Sequence, residues 1–209
     1  MNAVTICNMA LMKVGIPPIT SFDDENNNAK LCKTFFPVLR DRVLRDHAWS
    51  FAAAFHELQE LDEPSPDPDL PKVCALPGDV IRVISLDGGR PYRRMGVRIL
   101  VPELPATLLY TRRVEDTELF DDTFVEALQL LLASEVGLSG TRDPQLVNLL
   151  RQEYERRLAV ARAIDSQENR HASQLRPRRS HWIDARGACP EERRPVKWTE
   201  GNAGKQEKN

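Results

Sequence analysis

Residues 121–161 read DDTFVEALQLLLASEVGLSGTRDPQLVNLLRQEYERRLAVA, and their pattern decides the fold class expected from sequence. Phe124, Val125, Leu128, Leu131, Leu132 and Val136 recur at three-to-four spacing, the period of a helix. Asp121 or Asp122 is placed to accept the orphan amide hydrogens of its first turn, and Gly137 is the expected end. A second start signal follows at once. Asp143 caps, Pro144 takes the first helical position, where a missing N–H is harmless, and Val147, Leu150, Tyr154, Leu158 and Ala161 share one face toward Arg170. The short link between two long helices predicts antiparallel neighbours.

Toward the N-terminus, Ala3, Cys7, Ala10, Leu11 and Val14 predict a first helix, stopped by Gly15 and Pro17-Pro18, and the polar stretch from Ser21 to Asn28 reads as a loop. Ala29, Cys32, Phe35, Phe36, Leu39, Val43 and Leu44 predict a second helix. Pro37 lies inside it and would cost about 3 kcal/mol or force a bend, which is expected there. Prolines 64, 66, 68 and 71 mark an extended surface connection, and Pro77-Gly78 a turn. A β insertion follows. Val80, Ile81, Val83, Ile84 and Leu86 form one strand, Asp87-Gly88-Gly89 reverses the chain, and Tyr92 lies on the returning strand. A second hairpin joins Val97, Ile99 and Val101 to Leu108–Val114. The expected fold is mainly α: an antiparallel four-helix bundle with a small antiparallel β insertion and an extended C-terminal arm. Residues 1–60 supply the first two helices, 61–116 the Pro-rich connection and hairpins, 117–170 the last two helices, and 171–209 the arm.

Composition bounds the partners. With 41% apolar and 29% charged residues, net charge −2 and pI near 6.1, the chain is an ordinary globular protein and carries no overall basic coat. The average hides an asymmetry: residues 170–209 carry net +5 and the preceding 169 carry −7. Pro177, Pro190 and Pro195, with few large apolar groups after Leu175, leave that stretch no core of its own, although Trp182-Ile183 and Trp198 are bulky and apolar. Such a tail fits either a solubilising extension or an arm that docks on a partner. The apolar run around Leu128–Leu132 falls far short of the roughly 20 residues a spanning helix needs, and no basic-then-apolar leader opens the chain. Cys7, Cys32, Cys74 and Cys189 are scattered singly, which fits a reducing cytoplasm and buried thiols for the first three.

Chemistry-bearing motifs are sparse. Gly88-Gly89-Arg90 lacks phosphate-loop spacing and reads as a turn. Gly137-Leu138-Ser139-Gly140 lacks the spacing and strand-before-helix context of a nucleophile elbow and reads as a helix-ending loop. His47, His56, His171 and His181 are too dispersed for a zinc site, and Asp23-Asp24-Glu25 lacks the alternation of a calcium loop. Asp121-Asp122 is explained by capping. No catalytic, cofactor or metal-binding residue is assigned, and no enzymatic activity is expected.

One constellation is more specific. Residues 31–45, LCKTFFPVLRDRVLR, run into Asp46-His47-Ala48-Trp49-Ser50-Phe51-Ala52, where Trp49 and Phe51 read locally as a core plug. With Ala10-Leu11-Met12-Lys13-Val14-Gly15-Ile16-Pro17-Pro18-Ile19, residues 108–116 (LLYTRRVED) and residues 119–128 (LFDDTFVEAL), this resembles the head-to-tail adaptor family of tailed bacteriophages typified by tail tubular protein A. The likeness spans roughly residues 1–170, and the arm beyond Trp182–Gly187 matches less well.

The resemblance implies a virion-neck protein, assembled in the host cytoplasm. It would form a dodecameric ring between portal and tail or nozzle protein, with a channel through which genomic DNA passes without sequence-specific binding. No membrane is involved. A ring needs two different patches per subunit, and 22 Arg against 7 Lys suits interface pairing. Arg176, Arg178, Arg179, Trp182, Ile183, Arg186 and Trp198 are the expected portal contacts. Arg90, Arg93, Arg94 and Arg98 are assigned to neighbouring subunits, with the channel wall or plain solvation as alternatives. A nucleic-acid-binding regulator that grips phosphate through the basic arm is the alternative function.

Overall fold

Helix α3 (Asp122–Gly140) is the element around which α1 (Ala3–Lys13), α2 (Asn27–Asp46) and α4 (Pro144–Glu168) pack in the computed structural model, which describes residues 1–140 and 143–168. Having three helical neighbours explains why α3 is apolar on nearly all sides: Phe124, Ala127, Leu128, Leu131, Leu132, Ala133 and Val136 are all buried. The two polar groups caught in this environment are satisfied locally. Gln129 donates to Met9 Sδ at 3.3 Å and Ser134 Oγ to the Leu131 carbonyl at 2.7 Å.

The helix starts follow their side-chain chemistry. Asn2, Asn26 and Asp121 accept from the amides of Thr5, Ala29 and Thr123 at 2.7–2.8 Å. Asp143 accepts from Gln145 at 2.9 Å and Leu146 at 3.3 Å, with Pro144 at the first position as expected. Gly15, with φ +68°, turns the chain out of α1, so that the Ile16 amide reaches the Leu11 carbonyl at 3.0 Å. Pro37 sits within α2, where it offers no N–H to the Lys33 carbonyl. Gly137 departs from expectation. It does not end α3, which continues through residues 138–140. It is buried, and a Cβ built there would lie 3.1 Å from Val14 Cγ1, so glycine serves the close approach of α1.

The strands overturn the expected fold class. Six strands form two three-stranded antiparallel sheets: β1 (Ala53–Glu57), β6 (Thr107–Arg112) and β3 (Val80–Leu86) in one, and β2 (Lys72–Ala75), β5 (Arg98–Val101) and β4 (Arg93–Met95) in the other. About 50% of the described residues are helical and 18% are in strands, a mixed α/β fold and not a mainly α four-helix bundle. Two strands went unforeseen. Ala53–Glu57 has no β-branched residue and becomes a strand by pairing with β6 (Phe55 opposite Leu109), while Lys72–Ala75 emerges from the proline-rich connection to pair with β5 (Val73 opposite Leu100).

Neither expected hairpin forms. β3 pairs with β6, and Tyr92 lies outside any strand. The turn at Asp87–Gly89, with Gly88 and Gly89 at positive φ, instead carries the chain from one sheet to the other. The true hairpin is β4–β5, closed by Gly96-Val97 with Met95 opposite Arg98. Leu86, Leu108 and Tyr110 of the first sheet and Cys74, Ile99 and Val101 of the second share one buried cluster, so the sheets pack face to face over their own core. Ile81, Ala52 and Val114 belong to the helical core and join the two layers.

Candidate functional site

The stretch Asp46–Ala52 occupies the junction between the layers. His47 ends α2 in extended backbone, and Trp49, 1% exposed, drops into the helical core, donating from Nε1 to the Val43 carbonyl at 2.9 Å. Around it the rings form a continuous set: Trp49 to Phe124 edge-on at 5.2 Å, Phe51 to Phe124 at 5.2 Å, and Phe120 to Phe124 at 4.8 Å. The expected plug is thus extended by Phe120 and Phe124, more than sixty residues away in sequence.

A second feature of the junction was not foreseen. Asp165, 8% exposed on α4, accepts from the Ser50 amide at 2.9 Å through Oδ1, from Ser50 Oγ through the same oxygen, and from His47 Nε2 at 2.6 Å through Oδ2. His47 also stands edge-on to Trp49, ring centroids 5.1 Å apart. Earlier on the same helix, Arg162 Nη2 donates to the Asp46 carbonyl at 2.9 Å, and Tyr154 donates from its hydroxyl to Asp46 Oδ2 at 2.8 Å. The end of α4 is therefore latched to the end of α2 and the start of β1. The sequence signal lay in the α4 stripe: Tyr154, Leu158 and Ala161 lead at helical spacing to Asp165, an acid on an apolar face that must find donors.

Ser, His and Asp in contact invite a catalytic reading, and the order of contacts argues against it. A nucleophilic serine hands its proton to an imidazole that a carboxylate orients. Here the carboxylate stands in the middle and receives both the hydroxyl and the imidazole, so this geometry does not activate Ser50 Oγ through His47. What the arrangement does chemically is hold two backbone segments together through a buried acceptor.

Ion pairs tie another pair of distant stretches. Arg40, 7% exposed on α2, donates to Asp41 at 2.9 Å and reaches Glu115 at 3.7 Å, and Arg113 Nε donates to Asp41 Oδ2 at 2.8 Å. Residues 40–41 and 113–115 are thereby strapped together beside β3, whose neighbour Asp79 accepts from the Arg113 amide at 2.7 Å.

The insertion arginines divide. Arg90 is turned inward, donating to the Asp87 carboxylate and the Pro105 carbonyl (2.9 Å) with Glu103 at 3.5 Å, so it braces the corner between sheets. Arg93 pairs with Asp67 at 2.8 Å and Arg98 with Glu63 at 2.7 Å. Arg94 donates only to the Gly96 carbonyl (3.2 Å), and of the four it alone has no carboxylate within ion-pair distance among the described residues. The same hairpin exposes Met95 and Val97, the last 77% exposed, and Tyr92 just before it is exposed as well. Arg176, Arg178, Arg179, Trp182, Ile183, Arg186 and Trp198 lie outside the described residues.

Elsewhere, a groove of about 490 Å³ crosses α1, α3 and α4, with Met9, Val125 and Leu130 among apolar walls and Asp122, Glu126 and Glu153 among its acids. The Asp23-Asp24-Glu25 loop is internally occupied. Thr20 holds the Asp24 carboxyl below the usual carboxylate range through its amide and hydroxyl, and Asp23 pairs with Lys33 at 2.8 Å. Among the described residues no group of three His, Cys, Asp or Glu side chains is set to hold a metal ion, and no helix is long and apolar enough to cross a membrane. Cys7, Cys32 and Cys74 are buried free thiols; the Cys7 thiol is pushed up by its hydrogen bond with Cys32 and by burial, and the Cys74 thiol by burial. No protein-family model matches the sequence, and no curated protein matches it.

Proposed function

We propose that this chain is a structural head-to-tail adaptor of a tailed bacteriophage, a ring subunit between portal and tail through which DNA passes. The observation that supports this reading is the convergence of the stretches carrying the resemblance. Trp49 and Phe51 of one meet Phe120 and Phe124 of another, and Arg40 and Asp41 meet Arg113 and Glu115 of a third. Asn8 in α1 brackets Ile19 of the fourth, accepting from its amide at 2.8 Å and donating to its carbonyl at 2.9 Å. These stretches thus build one scaffold, and the polar clusters in it serve as ties between elements.

An adaptor must also present surface to neighbours. The exposed Met95 and Val97 on one short hairpin, with Tyr92 just before it, suit that role, since apolar side chains gathered at a projecting turn gain only when something covers them. The basic arm is assigned to portal, through Arg176, Arg178, Arg179, Trp182, Ile183, Arg186 and Trp198. Deleting residues 171–209 tests this. The truncated chain is expected to stay folded and to lose attachment to bacteriophage portal particles, and native attachment by the truncated chain refutes the assignment. Duplex DNA binding that is micromolar or tighter and falls steeply with salt favours the regulator instead.

A further inference from the structure

We propose that Cys7 of α1 and Cys32 of α2 form a modification site, a dithiol that a small disulfide such as oxidised glutathione converts into a bond fastening α1 to α2. The two thiols meet inside the helical core, fully buried and hydrogen-bonded to each other. Cys74 lies in the separate cluster between the sheets and is an internal control. Reducing surroundings hold the pair as thiols, and oxidising surroundings close it.

The placement follows from the sequence. Ala10, one turn after Cys7, and Ala29, one turn before Cys32, share the faces that carry the sulfurs, and both are fully buried. Small side chains at a helix contact bring the two axes close. The connection between the helices is tied at both ends. Asn8, next to Cys7, brackets Ile19 with two hydrogen bonds, and Asn28 Nδ2 donates to the Pro17 carbonyl at 3.4 Å. Contacts flanking the sulfurs therefore bring them together before any bond joins them.

The hydrogen bond with Cys32, and then burial, push the Cys7 thiol up, so the docked pair is unreactive. Reaction waits on local opening of α1, which is only 11 residues long. Cys7, as its thiolate, then attacks one sulfur of the oxidant, breaking its S–S bond and forming a mixed disulfide. As α1 docks again, Cys32 attacks the Cys7 sulfur and expels the second half of the oxidant. The two cysteines give up two electrons and two protons. Both electrons go to the oxidant's S–S bond, and its halves leave as two protonated thiols.

Disulfide mapping of the full chain tests the site. The folded protein is equilibrated with oxidised glutathione a few degrees below its melting temperature, free thiols are alkylated in urea, and tryptic peptides are weighed. The expected dominant link joins peptide 1–13 to peptide 31–33, two hydrogens lighter than their sum. Closing a loop of about 25 residues should raise Tm by about 7–14 °C, and dithiothreitol should reverse the rise. Cys7→Ala and Cys32→Ala should show no rise with the oxidant. Cys7 and Cys32 both recovered as alkylated thiols overturns the site, as does a dominant link through Cys74 or Cys189, a linked chain whose Tm does not rise, or an equal rise in Cys7→Ala. The mapping uses the native sequence, so it decides the matter even where an alanine variant does not fold. No arm of the experiment involves portal, and its failure leaves the adaptor reading untouched.

Discussion

Replacing Asp165 by Ala removes the acceptor that joins α4 to the α2–β1 junction. Three donors lose their partner at once: the Ser50 amide, the Ser50 hydroxyl and the His47 imidazole. A hydrogen bond to a charged group contributes about 1.5–3 kcal/mol, and the three share one carboxylate, so their losses do not sum. Leaving a buried donor without its acceptor costs about 1–3 kcal/mol. Asp165 retains a little solvent contact, with its side chain 11% exposed, but several donors are affected together, which places the expected loss at the upper end, about 3 kcal/mol. For a domain of this size each kcal/mol lowers Tm by about 2–4 °C, so a fall of about 6–12 °C is expected. The assay is urea and thermal unfolding followed by circular dichroism at 222 nm, since arm tryptophans would confuse fluorescence. Asp165→Asn, which keeps shape and loses charge, should fall between wild type and Ala. In a double-mutant cycle with His47→Ala the coupling should be about 1–3 kcal/mol. A loss under about 1 kcal/mol, or strict additivity with His47→Ala, refutes the latch.

Other expectations follow from single contacts. Tyr154→Phe should cost about 1.5–3 kcal/mol, because Asp46 loses a buried donor. Burial first, and then the bond to Asp46, push the Tyr154 phenol well above its ordinary value. That contribution is fully present below about pH 10, where the unfolded phenol titrates, and is lost as pH rises toward the folded value, so the wild type should lose stability above about pH 10 more steeply than the variant. Urea midpoints across that range measure it. Gly137→Val should cost about 1–3 kcal/mol by crowding Val14, and Val14→Ala should recover part of the loss in thermal melts. Asp143→Ala should cost about 1 kcal/mol of stability by leaving two amides of the first α4 turn uncapped.

Local signals were readable in the sequence, and long-range pairing was not. The starts of α3 and α4 rest on Asp121, Asp143 and Pro144, whose side chains act on the next three residues, and periodicity alone marks the buried faces. Strand Ala53–Glu57 owes its state to a partner more than fifty residues away, and β6 serves both β1 and β3, so a reading of adjacent hairpins had the right residues in the wrong pairs. Gly137 looked like a terminator because only the tertiary approach of Val14 explains a glycine inside a helix. The Asp165 latch crosses more than a hundred residues, and its trace was one acid in register with an apolar stripe. Of the insertion arginines, sequence identified the cluster, while the distinction between Arg90 as an internal brace and Arg94 as an available cation depends on which carboxylates folding brings near.

The most direct test of the central claim is the mass of the chain in solution, measured alone and after mixing with bacteriophage portal particles. The adaptor account predicts free subunits that add to portal as a complete ring. A chain that leaves the mass of the portal particle unchanged at concentrations far above those of assembly contradicts it.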